Sequence, residues 1–63
     1  MNEQIQVILD SYHNGQKEQM VDQIKAYGQA KFFVEFYRDM RDYFYNDASP
    51  LYATIVYTFF LLK

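Results

Sequence analysis

A chain of 63 residues allows one domain, 1–63, and a core that buries only about 60% of the surface exposed on unfolding. It has no cysteine and one histidine, which excludes disulfide staples and leaves a structural zinc ion without a ligand set. Six Lys and Arg against eight acids leave a net charge of −2, so the chain has neither the basic cluster that nucleic-acid binding requires nor a phosphate-like acidic field. The composition is nevertheless 51% hydrophobic and 21% aromatic, with seven Tyr and six Phe. That is more aromatic surface than so small a core hides easily, and too much for disorder. The expectation is a small all-α domain completed by association, most simply as a homodimer.

The first element runs from about Asn2 to His13. Ile5, Ile8, Leu9 and Tyr12 recur at helical spacing and form one stripe. Asn2 suits an N-cap, and Glu3 complements the positive end of the helix. Asn14-Gly15 ends the element, because both residues tolerate the left-handed backbone of a helix C-terminus.

The second element runs from about Gln16 to Tyr45. Met20, Val21, Ile24 and Tyr27 mark its first half, and Gly28 follows. A glycine inside a helix costs about 1 kcal/mol relative to alanine. One kinked helix and two separate helices are therefore equally compatible with it. In the second half Phe33, Phe36, Tyr37, Met40 and Phe44 fall within an arc of about 100°. Phe32 and Tyr43 widen that arc, and Lys31, Glu35, Arg38 and Asp42 lie opposite. Arg38 and Asp42 form an i, i+4 pair.

The third element follows Asn46-Asp47-Ala48-Ser49-Pro50. Ser49 reads as the N-cap and Pro50 as the first helical residue. The β-branched and aromatic run Tyr52 to Phe60 favours a strand locally. A strand would need a second copy of the chain to pair with, so a helix is expected. Leu51, Ile55, Phe59 and Leu62 then form one stripe and Tyr52, Val56 and Phe60 another, which predicts burial on more than one side. The expected core is Ile5, Ile8, Leu9, Ile24, Phe33, Phe36, Met40, Phe44, Ile55 and Phe59.

The uncharged run Leu51–Leu62 is too short to span a bilayer, which takes about 20 residues. A membrane-surface peptide is a rival reading, but no membrane contact is expected. The polar start Met1-Asn2-Glu3-Gln4 lacks the order of a signal peptide, so the cytoplasm is the expected location.

Catalytic chemistry finds little support. Asp10, Ser11 and His13 lie within four residues of one helix, and a triad is assembled from separate elements. His13 is expected at the surface, beside the negative end of its helix. Glu35, Asp39 and Asp42 are interleaved with Arg38 and Arg41, which reads as a solvated charged face. No Glu-x-x-His pair, phosphate loop or calcium loop is present. No enzyme activity, cofactor or metal is expected. Tyr buries ring area while its hydroxyl stays hydrated, and five of them fall within 21 residues. Tyr37, Tyr43, Tyr45, Tyr52, Tyr57 and Phe60 are therefore the candidate partner or dimer interface.

Residues 14–28, from the turn Asn14-Gly15-Gln16 through Met20, Val21 and Ile24 to the aromatic–glycine pair Tyr27-Gly28, resemble a segment of very short helical proteins encoded by tailed phages. A Phe/Tyr-rich helix and a C-terminal aromatic run follow there too, so the likeness extends over about residues 5–63. Some such proteins act as counter-defence inhibitors of host systems such as BREX. The resemblance implies stoichiometric, non-enzymatic binding that inhibits or modulates a host protein complex in the cytoplasm of the infected cell. Residues 29–40, Gln29-Ala30-Lys31-Phe32-Phe33-Val34-Glu35-Phe36-Tyr37-Arg38-Asp39-Met40, are similar to the central helix of small cyanobacterial proteins that trigger phycobilisome breakdown. That second, shorter likeness implies a homo-oligomeric structural or adaptor role.

Overall fold

The computed structural model describes residues 2–43 and 48–63. Four helices follow one another, α1 (Glu3–His13), α2 (Lys17–Tyr27), α3 (Gln29–Tyr43) and α4 (Ala48–Leu62), with no strand among the described residues. The fold is all-α, and the strand alternative for the C-terminal run is not adopted. Among the described residues no helix is long and apolar enough to cross a membrane.

Helix α1 begins where the sequence places its cap. The Asn2 side-chain oxygen accepts the backbone N–H of Gln4 at 2.7 Å, which satisfies one of the orphan donors of the first turn. The helix ends in a Schellman arrangement. Gly15 N–H donates to the Tyr12 carbonyl at 3.0 Å and Gln16 N–H to the Ser11 carbonyl at 2.9 Å. Gly15 has φ +80°, a conformation that strains any residue with a Cβ. Removing the cap tests the N-terminal end. Asn2→Ala is expected to cost about 1 kcal/mol, read as a shift of the chemical denaturation midpoint without a change of slope.

Gly28 separates α2 from α3. Its φ of 112° and ψ of 111° are far from helical values, so two helices form rather than one kinked helix. Its N–H still closes α2 on the Ile24 carbonyl at 2.9 Å, while its own carbonyl accepts Phe32 N–H at 2.7 Å to start α3.

At the start of α4 the expected cap moves. The helix already includes Ala48, so Ser49 lies inside the first turn and not at the cap. Pro50 is tolerated there because N–H groups of a first turn have no intrahelical partner. Thr54 donates its hydroxyl to the Pro50 carbonyl at 2.8 Å.

The helices pack α1 on α2, α2 on α3 and α4, and α3 on α4. The radius of gyration is 10.6 Å, in line with roughly 11 Å for a folded chain of this length. The core is Ile5, Ile8 and Leu9 from α1, Met20, Val21 and Ile24 from α2, Phe32, Phe36 and Met40 from α3, and Ile55 and Phe59 from α4. Two expectations change. Phe32 replaces Phe33 at the centre of the α3 stripe, and Phe33 is only partly buried. The α3 helix is thus turned by roughly 50° from the expected orientation, at 100° per residue. The second change concerns α4. It buries Ile55, Thr58 and Phe59 on one side only, while Leu62 and the opposite side face solvent. Phe44, also expected in the core, lies outside the described residues.

Candidate functional site

Most of the polar groups weighed for catalysis hydrogen-bond within or between helices. Ser11 is buried and donates its hydroxyl to the Val7 carbonyl at 3.3 Å, while Asp10 accepts from the Gln6 side-chain amide at 3.0 Å. His13 is exposed at the end of α1, its ring edge-on to Tyr12 at 5.5 Å. No hydrogen bond joins the three groups to one another. The carboxylates of α3 are divided in the same way. Glu35 accepts the Tyr27 hydroxyl proton, and the Asp39 carboxylate is 3.5 Å from the backbone N–H of Asn2. Asn2 also donates its side-chain amide to the Tyr27 oxygen at 3.2 Å. This cluster ties the start of α1 to the end of α2 and to α3, and it places negative charge at the N-terminus of α1, where the helix dipole favours it.

The Tyr27 hydroxyl is held above the ordinary tyrosine range. Its hydrogen bond to Glu35 is the main cause, followed by partial desolvation and the charges of Glu35 and Asp39. The Asn2 amide works the other way. The phenol is therefore a hydrogen-bond donor at neutral pH. Lys31 places its ammonium 4.7 Å from the centre of the same ring. No group of three or more His, Asp or Glu side chains among the described residues is placed to hold a metal. A groove between α1 and α2, lined by Gln4, Val7, Ile8, Gln23, Ala26 and Tyr27, contains the buried and unpartnered Oε1 of Gln23. A lone acceptor defines no ligand.

The surface is more informative. The sequence Ala48–Leu62 of α4 has no charged residue. Its outer side is an apolar face of Ala53, Val56, Tyr57, Phe60 and Leu61, with Tyr52 at the edge. Tyr57 is 68% exposed, Leu61 65% and Phe60 47%. A chain of rings joins this face to α3. Phe60 stacks on Phe33 at 6.1 Å, Phe33 meets Tyr52 edge-on at 6.4 Å, and Tyr52 meets Tyr37 edge-on at 5.5 Å. Beyond Tyr37 the outer face of α3 changes character. Val34 and Tyr37 stand among Arg38, Arg41 and Asp42 at i, i+3, i+4, i+7 and i+8 spacing.

The expected interface residues thus separate. Tyr57 and Phe60 lie on the α4 face and Tyr37 on the α3 face. Tyr52 is partly buried between the helices, 5.4 Å from the Phe36 ring. Tyr43 ends α3, and Tyr45 lies outside the described residues. Sequence reasoning did not single out Val34 or Leu61. Both follow from helical spacing, since Leu61 lies four residues beyond Tyr57 and Val34 three before Tyr37. No protein-family model, no curated protein and no solved structure matches this chain.

Proposed function

We propose that this chain is a phage-encoded, non-enzymatic protein that binds a host protein complex and inhibits or modulates it in the cytoplasm of the infected cell. The resemblance of residues 14–28 suggests an anti-phage defence system such as BREX as the target. The observation that carries the binding reading is the outer face of α3. Val34 and Tyr37 are 59% and 52% exposed there, beside Arg38, Arg41 and Asp42. Tyr and Arg are the residue types that most often dominate binding energy, because a planar ring or guanidinium covers area and still makes directional hydrogen bonds. The flanking charges supply orientation and selectivity more than affinity.

The test mixes the purified chain with a purified, assembled BREX complex and follows co-elution, alongside phage plating on a BREX-positive host expressing the chain. Co-elution at fixed stoichiometry and restored plating are expected. The double charge reversal Arg38→Glu with Arg41→Glu should weaken binding by about 30-fold or more, the effect of losing one hot spot of about 2 kcal/mol. Both side chains are exposed, so helicity should be unchanged. No co-elution together with unchanged plating overturns the target. Unaltered binding by the charge-reversed variant overturns the surface.

A further inference from the structure

The outer face of α4 is left largely open around Tyr57, Phe60 and Leu61, and it is too apolar to be an ordinary surface. We infer that this face is the interface of a two-fold symmetric homodimer, in which α4 packs antiparallel on α4 of a second copy with Ala53 of each chain opposite Phe60 of the other. The inference rests on the reading that the chain acts by association, and it names the occupant of the surface that the α3 face leaves out.

Three observations select a second copy. The first is composition. A fifteen-residue helix with no charge offers a foreign partner nothing to orient on, whereas homodimer interfaces are the more apolar class. The α3 face, with its Arg and Asp, is the better match to a separate target. The second is area. With aromatic side chains of about 200 Å² each, the exposed fractions of Tyr57, Phe60 and Leu61 leave several hundred Å² open per chain. Two copies that cover these side chains, Ala53, Val56 and the rim at Tyr52 approach the roughly 1,000 Å² that a specific interface needs.

The third observation is the order of sizes along the face. A two-fold axis between Val56 and Tyr57 places residue 53 against residue 60 and residue 56 against residue 57. The small Ala53 then receives the partner's Phe60, and symmetry makes that contact twice. A parallel pair would set Phe60 on Phe60 and leave a void between two Ala53. Phe60 is already held for the contact by its stacking on Phe33 and its edge-on contact with Phe59 at 5.2 Å. Charge agrees with the antiparallel choice. The Lys63 ammonium sits 4.6 Å from the centre of the Phe60 ring. A parallel pair would bring the two ammonium groups together, and the antiparallel pair parts them by about 20 Å along the helix, beyond the Debye length of roughly 8 Å at physiological salt.

Sedimentation of the full chain from about 1 to 200 μM tests the association. The weight-average mass should rise from 7.6 kDa toward twice that value. Tyr57→Glu should keep its helicity, because Tyr57 is exposed in the single chain, and should raise the dissociation constant by about 100-fold or more. The native chain has no cysteine, so single thiols report the register. An oxidised mixture of Ala53→Cys and Phe60→Cys chains should cross-link mainly between the two variants, several-fold more than either alone. A native chain that stays at 7.6 kDa throughout, or a dimer indifferent to Tyr57→Glu, overturns the proposal. Dominant Ala53→Cys self-cross-linking overturns the antiparallel register. A native chain that is monomeric in solution but floats with phosphatidylcholine–phosphatidylglycerol vesicles, and loses them with Tyr57→Glu, gives the face to a membrane. None of these failures touches the co-elution test, which depends on Arg38 and Arg41.

Discussion

Phe36→Ala should abolish cooperative folding at low micromolar concentration. Phe36 is fully buried, stacked on Phe32 at 5.2 Å and tilted against Tyr52 at 5.4 Å, so it joins α3 to α4 at the centre of the core. Removing a buried phenyl ring costs about 3–5 kcal/mol, the sum of lost transfer energy and the cavity left behind. A chain of this length has a total stability of only about 3–9 kcal/mol on a per-residue scale. Thermal melting followed by circular dichroism should therefore lose its sigmoid. Phe36→Leu, which keeps most of the volume, should melt cooperatively at a reduced temperature. A Phe36→Ala protein with a native melting curve would show that α3 packs in another register.

The second large effect is a contrast between neighbours. Phe32→Ala should also cost about 3–5 kcal/mol, because Phe32 is fully buried and lies within ring contact of Tyr27, Phe33 and Phe36. Phe33→Ala should cost less, about 1–3 kcal/mol. Phe33 is only partly buried, and the space it leaves opens toward solvent beside Phe60. Urea denaturation of both variants reads the contrast, since Phe32→Ala should lose its cooperative transition as Phe36→Ala does, while Phe33→Ala should keep one at a lowered midpoint. Equal destabilisation, or a larger loss at Phe33, contradicts the orientation of α3. Phe33→Ala should also loosen the dimer, since Phe33 supports the ring of Phe60 from beneath.

These two pairs share a physical origin. A small core has few residues that are fully enclosed, and each carries a large fraction of the total stability. Tyr57, 68% exposed, lies outside that enclosure and contributes little to the fold of one chain. It is therefore free to be altered by charge without unfolding the chain, which makes the interface test separable from the stability tests.

Local chemistry made much of the fold legible in the sequence. The Asn2 cap, the Asn14-Gly15 stop and the stripe of Ile5, Ile8 and Leu9 depend on interactions within one or two turns, so they were readable before any packing was known. The separation of α2 from α3 was not. Glycine at position 28 permits a break without requiring one. The core requires it, because on one continuous helix the buried faces at Met20–Ile24 and at Phe32–Met40 would diverge by roughly 110°. The orientation of α3 was equally open, since Phe32 and Phe33 are alike in hydrophobicity and packing selects between them, with Phe32 enclosed in the core beside Tyr27 and Phe33 turned toward α4. Helix α4 is the extreme case. Its sequence already pointed Ile55 and Phe59 inward and Tyr57 and Phe60 outward, but it is apolar almost all round, so only its docking on α2 and α3 decided that one side alone is buried and that Leu61 and Leu62 remain outside. Composition alone determined that the chain has apolar surface to spare. Where that surface lies was decided by tertiary packing, because burial depends on which neighbours are present and not on the residue itself.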